Sequence, residues 1–185
     1  MTIIEDKIAF NFDDNTWSFV LKYDEQTDFK NIRDAIQGTK GVDIIGVLEK
    51  RILSLIEIKD FRGTTIENKH KFDKNDVNSL FVTIPQKVRD TIAGIVGGAR
   101  NSTHNQDDWA EYLSILSKSK RYVHVILWLE EDRNLPQTPM NAQFQKGKIK
   151  ILNDALRKRL RWLTPYVFVV DSKTNPYQGL STKFL

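Results

Sequence analysis

The sequence predicts a single α/β domain whose mixed central sheet is built around an antiparallel hairpin and flanked by helices on both faces. Three observations predict it. Ile44 to Leu48 and Ile52 to Ile58 are almost unbroken apolar runs on either side of the charged turn Glu49-Lys50-Arg51, and strands that are apolar on both faces belong in the centre of a covered sheet. Downstream, segments of helical period alternate with β-branched runs, an order that gives a mixed sheet. A chain of 185 residues, 40% hydrophobic and 28% charged, suits one domain with a sizeable core. The expected organisation is one domain over 1–185, with its core at about 17–130 and a basic helix plus final strand from 141–185 packed on it.

The elements follow in order. Ile8 to Phe12 and Trp17 to Tyr23 read as an opening pair of strands around Asp13-Asp14-Asn15. Phe29, Ile32 and Ile36 recur at helical spacing after Thr27 or Asp28, and Gly38 stops that helix. The motif hairpin comes next, then a polar stretch from Gly63 to Asn78 that reads as a loop beside it. Thr83-Ile84-Pro85-Gln86 has capping-box spacing with proline in the first turn. From there Val88, Ile92, Ile95, Val96 and Ala99 make an apolar stripe that Gly97-Gly98 would terminate. Asp108-Trp109 opens another helix, with Trp109, Leu113 and Leu116 inward. Tyr122 to Leu129 is a β-branched and aromatic strand closed by Glu130-Glu131-Asp132, which we read as a solvated strand end, since three consecutive acids cannot all face one ion. Pro136 and Pro139 mark a loop. Asn141 to Arg161 is the longest helix, with Ile149, Leu152, Leu156 and Leu160 as its buried seam, and Tyr166 to Val170 is the last strand.

The hairpin carries the chemistry. If its loop is the three residues 49–51, Leu48 faces Ile52 and Asp43 falls opposite Glu57, their Cβ atoms about 4.5–5.5 Å apart on one face. Lys59 then points to the same face. A two- or four-residue loop would separate them unless a bulge restored the pairing. Burying Glu57 and Lys59 in an apolar strand costs free energy unless they are paired or used. Two carboxylates suit a hard divalent cation such as Mg²⁺. Such a cation acidifies bound water and neutralises charge on a phosphoryl oxygen, and a lysine beside it can steady the same charge.

Asp43, thirteen intervening residues, then Glu57-Ile58-Lys59 resembles the core motif of the PD-(D/E)XK nuclease superfamily, the restriction-endonuclease-like phosphodiesterases. The resemblance covers residues 38–63. It implies a restriction-endonuclease-like fold and Mg²⁺-dependent hydrolysis of nucleic acid, with DNA the expected substrate and Mn²⁺ a substitute metal. Asp43, Glu57 and the Ile58 carbonyl would hold the metal, and Lys59 would act on the attacking water. Val42 stands where the motif's proline would be. Many members add an upstream acidic residue. Glu25 is the first candidate here, with Asp24, Asp28 and Asp34 beside it.

Charge distribution agrees with a polyanionic partner. The chain carries a net +4; residues 1–40 have a balance of −3, whereas 141–185 hold nine basic and two acidic side chains. Lys146, Lys150 and Arg157 on the long helix, Arg62 beyond the motif, and Gln86, Lys87 and Arg89 on the helix after it are the expected nucleic-acid contacts. The three histidines lack zinc spacing, and zero cysteines exclude disulfides and thiolate metal sites. No apolar run approaches the ~20 residues of a membrane span, and no secretory signal opens the sequence, so a cytoplasmic setting without a membrane partner is expected. A homodimer would suit double-strand cutting. The alternative to an enzyme is an inactive nucleic-acid-binding or interaction domain of the same fold, its carboxylates a structural ion pair.

Overall fold

The computed structural model describes residues 1–64, 67–132 and 139–185, and shows a mixed α/β fold with two sheets. The central sheet has five strands in the order β3 (Trp17–Lys22), β4 (Ile44–Leu48), β5 (Ile52–Phe61), β6 (Tyr122–Glu131) and β7 (Val167–Val170). β3, β4 and β5 are antiparallel, whereas β5, β6 and β7 run parallel. A smaller antiparallel sheet has the order β1 (Thr2–Glu5), β2 (Ile8–Phe12) and β8 (Leu180–Phe184).

The hairpin register is the one that three loop residues require. Leu48 faces Ile52 and Ile44 faces Ile56, so Asp43 and Glu57 come opposite each other at the end of the ladder, where the Asp43 amide donates to the Ile56 carbonyl at 3.1 Å. Glu49 and Lys50 both adopt left-handed backbone conformations, with φ of 50° and 55°, the twist that a tight hairpin turn demands. On the other side of β4, the pairing slips by one residue between Ser18 and Leu21. Phe19, at φ 50°, sits within that slip. An extra residue in a strand inverts its alternation. Trp17 therefore packs toward the small sheet, while Leu21 and Tyr23 pack toward the helices.

Four helices cover one face of the central sheet: α1 (Thr27–Ala35), α2 (Leu80–Asn101), α3 (Gln106–Ser117) and α4 (Pro139–Leu160). Ile84, Val88 and Ile95 of α2, Trp109 and Tyr112 of α3, and Leu152, Leu156 and Leu160 of α4 enclose Leu53, Leu55, Val125 and Leu127 of the sheet. The opposite face is closed by the small sheet, whose Ile3, Ile8, Phe10, Phe12 and Leu180 pack on Ile44, Ile56, Ile58, Ile126 and Trp128. Helices on both faces were expected; one face carries a sheet instead. The core also extends beyond 17–130 to include Ile3 and Leu180, from the first and last strands. The second and third strands are chain neighbours but pair in different sheets, because β2 takes β1 and β8 as partners and β3 takes β4.

Helix α2 starts before the expected Thr83 and runs through both punctuating residues. Pro85 lies inside it and leaves the Phe81 carbonyl without its helical donor; the Arg159 guanidinium of α4 fills that place at 2.7 Å. Gly97-Gly98 does not end the helix. A Cβ at Gly98 would crowd the Trp109 ring, and one at Gly94 would overlap the Tyr23 hydroxyl. These glycines let α3 and β3 approach rather than stop the chain. Ile36, expected inward, is 60% exposed, and Tyr112 and Ile115 replace Leu113 and Leu116 as fully buried residues of α3. The polar stretch after the motif contains a short 3₁₀ helix, Glu67–Phe72. The expected strand end at 130–132 is partnered rather than solvated: buried Glu130 accepts from the Trp128 indole at 2.9 Å and the Ser172 amide at 2.8 Å, Glu131 pairs with Lys148 at 2.6 Å, and Asp132 accepts from the Gly63 amide. Pro136 lies outside the described residues, and Pro139 opens α4. Among the described residues no helix is long and apolar enough to cross a membrane.

Replacing Gly94 with alanine is expected to lower stability by about 1–3 kcal/mol through overpacking against Tyr23, despite the ~1 kcal/mol that alanine contributes as a helix former. Urea unfolding of the variant beside wild type checks it.

Candidate functional site

The site forms where β4 begins and β5 nears its end. Alternation along β5 sends Ile56 and Ile58 to the small sheet and leaves Leu55, Glu57, Lys59 and Phe61 on the helix-covered face. Glu57 is completely buried and Asp43 is 5% exposed. The Asp43 carboxylate accepts a hydrogen bond from the Ile58 amide at 2.6 Å, which anchors it across the hairpin. The Lys59 ammonium pairs with Glu57 Oε1 at 2.6 Å and donates to the Ile58 carbonyl at 2.9 Å. Asp43, Glu57, the Ile58 carbonyl and Lys59 are thus brought together.

Lys87 joins them from α2. Its ammonium lies 2.7 Å from Glu57 Oε1 and 3.3 Å from Asp43 Oδ1. It was expected to contact phosphate from an exposed helix face; its actual partners are the two motif carboxylates. A signal for this was present in the sequence. Lys87 stands three residues after Ile84 and four before Thr91, both fully buried, so helical spacing places it on the inward stripe.

Of the upstream acidic residues, Asp24 lies beside Asp43 and Glu25 does not. Carboxylate oxygens of Glu5, Asp24 and Asp43 lie within 4.8 Å of one another. Glu25 is exposed, its carboxylate held by Lys22 at 2.9 Å, outside that cluster. Asp28 is committed elsewhere, accepting from the Trp109 indole at 3.0 Å and the Ser102 hydroxyl at 2.7 Å. Asp34 pairs with its neighbour Arg33 at 3.0 Å. Glu5 belongs to a strand that sequence reading did not find, and no local pattern announced its role; Lys22 ties it to β3 at 2.8 Å.

Electrostatic strain is concentrated here. Burial, followed by the adjacent Asp43 charge, pushes the Glu57 carboxyl up to about 7 despite its two lysines. Burial also raises Glu5 and Asp24, again with Asp43 contributing. For Lys87, burial opposes the charge, but Glu57 and Asp43 outweigh it and hold the ammonium above its ordinary pKa. Glu57 Oε2 and Asp24 Oδ1 are buried acceptors without hydrogen-bond donors. Orphaned carboxylate oxygens beside further carboxylates form a hard-oxygen donor set, which fits a divalent cation such as Mg²⁺.

The remaining expected contacts are dispersed. Arg62 is bidentate to Asp60, at 2.8 and 2.6 Å, and stacks 3.8 Å above the Phe184 ring, tying β5 to the small sheet. Arg89 is 64% exposed and pairs with Asp90 at 2.8 Å. Gln86 is half-buried on α2, next to Lys87. Lys146 and Lys150 are exposed on α4, and Arg157 donates to the Val167 carbonyl at 3.2 Å.

No family model matches the chain, and no solved structure matches it. Among curated proteins it is similar to a cysteine–tRNA ligase of Neisseria meningitidis (serogroup A, serotype 4A, strain DSM 15465 / Z2491), 26% identical over 174 residues. The alignment covers 81% of this chain and 24% of that protein, so the chain spans about a quarter of the relative's length.

The Glu57 carboxyl titrates above the 4.5 of an ordinary glutamate, so the native state keeps a proton that the unfolded chain releases. Its stabilising contribution is full below about pH 4.5 and lost as pH rises toward about 7. Metal-free protein is expected to lose stability across that window by up to ~1.4 kcal/mol per pH unit, with Glu5 and Asp24 acting in the same direction. Glu57→Gln should flatten the slope. Denaturant unfolding at stepped pH in the presence of a chelator reads it, and a rising wild-type profile would contradict it.

Proposed function

We propose that this chain is a metal-dependent phosphodiesterase of the PD-(D/E)XK kind, hydrolysing nucleic acid, with DNA as its expected substrate. The observation that carries the reading is the convergence of Asp43, Glu57 and Lys59 on one hairpin end, with Asp24 and Glu5 adjoining. Asp43, Glu57, Asp24 and the Ile58 carbonyl would hold Mg²⁺, with Mn²⁺ as a substitute. The bound ion would neutralise charge on the scissile phosphoryl group and lower the pKa of water.

The chain's own groups do the rest. Asp43, fixed by the Ile58 amide, presents its carboxylate without having to reorganise. Lys59, 30% exposed, reaches from the buried carboxylate toward solvent, where it orients the attacking water and steadies charge developing on the phosphate. Lys87 balances the two motif carboxylates while they are otherwise unpaired. Exposed Lys146 and Lys150 hold the backbone without reading sequence. The relative is named for a ligase of tRNA, so RNA belongs beside DNA among the test substrates.

A second reading, an inactive nucleic-acid-binding or interaction domain of the same fold, is favoured by one observation: Lys59 and Lys87 both lie within salt-bridge distance of the same Glu57 oxygen, which is how a structural ion pair is satisfied. Salt-sensitive binding without turnover, and no Mn²⁺ occupancy near Asp43, would select it.

Plasmid, single-strand and RNA cleavage assays with Mg²⁺, each with and without chelator, test the enzyme. Lys59→Ala, Glu57→Ala and Asp43→Ala are expected to reduce cleavage by about 10²–10⁴-fold, and Asp24→Ala to reduce it far more than Glu25→Ala. Metal-dependent cutting that survives all three motif substitutions would rule the assignment out.

A further inference from the structure

A groove of about 560 Å³ opens between the 3₁₀ helix, the start of α2 and the first half of α4. That volume is in the range of small-molecule sites, about 300–1,000 Å³. Phe72, Phe81 and Phe144 line it together with Lys74, Lys148 and Gly147. Phe81 is buried at its floor, whereas the Phe144 ring is 68% exposed on a helix whose apolar seam is already covered. The Lys148 ammonium lies 3.4 Å over the Phe72 ring, and that of Lys74 5.9 Å over Phe81. One carboxylate, Asp73, also lines the groove.

Gly147 is the telling residue. Glycine within a helix costs ~1 kcal/mol relative to alanine, and here neither left-handed backbone nor close packing calls for it: a Cβ would meet nothing within 4 Å. Its missing side chain leaves the groove open one helical turn from Phe144.

The groove and the carboxylates share their supports. Phe61, two residues beyond Lys59 on the same face of β5, meets the Phe72 ring edge-on with centroids 6.1 Å apart. Phe81 precedes Lys87 on α2 by six residues, about 9 Å of rise. These contacts link the groove's wall to the elements that carry the carboxylates.

We propose that this groove takes an unstacked base of a single-stranded polynucleotide, stacked against Phe144 with Lys74 toward its phosphates; Lys148, paired with Glu131, shapes the wall. Aromatic faces beside lysines are the general chemistry of single-strand binding, and an apolar slot with Lys74 and an exposed aromatic ring at its rim suits a flat base on an anionic backbone. The inference rests on the nucleic-acid reading of the carboxylate site, but it does not require cleavage.

Fluorescence anisotropy with a short labelled deoxyoligonucleotide in chelator tests it, alongside the same strand with abasic positions, its ribose counterpart and a duplex. Wild type is expected to prefer base-bearing single strands. Phe144→Ala and Gly147→Leu should each weaken that binding about tenfold and abolish discrimination against the abasic strand. Both positions are solvent-facing or open, so thermal unfolding of the two variants should match wild type or exceed it. Unchanged affinity in both variants, preference for the duplex, equal affinity for the abasic strand, or variants that alter only the oligomeric mass (a second copy in the groove) would overturn the proposal. Base-dependent binding that Phe144→Ala removes, with no cleavage of any substrate, would retire the nuclease and leave the groove standing. Cleavage that Lys59→Ala removes, with single-strand affinity unmoved by Phe144→Ala, would do the reverse.

Discussion

Glu57 is a carboxylate with no access to solvent, placed in the central strand of a covered sheet, and the surrounding architecture answers to that burial. An isolated charge there would cost several kcal/mol after every relaxation the protein allows. Two ammonium groups meet the demand, Lys59 from the same strand and Lys87 from α2, both at one oxygen. The other oxygen has no donor. An interior built for stability alone would have placed a leucine at this position. A strained carboxylate beside Asp43 is what the proposed function would draw on.

The geometry that makes this possible is inexpensive in residues. Three loop positions, two of them in left-handed conformations, set the parity that brings Asp43 opposite Glu57. One extra residue near Phe19 turns the end of β3 over, so that Tyr23 meets the helices and the chain arrives at Asp24 beside Asp43. The small sheet then delivers Glu5 from the opposite layer. Carboxylates from three separate strands and loops therefore meet because two local irregularities, a turn and a bulge, each shift alternation by one.

The basic long helix illustrates how charge counts blur function. Lys148 serves Glu131, Arg157 caps the Val167 carbonyl, and Arg159 replaces the hydrogen bond that Pro85 removed from Phe81. Lys146 and Lys150 remain turned to solvent. Three of the nine basic side chains of the final segment thus hold the fold together, while Lys158, Arg161, Lys173 and Lys183 are exposed as well.

The hairpin, its odd loop, the pairing of Asp43 with Glu57 and the seam of Leu152, Leu156 and Leu160 were legible in the residues, because strand parity and helical spacing are local rules that apolar patterning states directly. Lys87 was half legible, since its spacing marked an inward face while its chemistry suggested an outward one. What only the tertiary structure decided were pairings at long sequence separation. The assignment of β2 to a second sheet, the return of β8 beside it, the nearness of Asp24 to Asp43 and the arrival of Glu5 all depend on which distant strand satisfies a given edge. Short apolar segments such as Ile3–Ile4 and the 180–184 strand carry too little periodicity to name their partners, and a backbone edge accepts any complementary strand that packing brings to it.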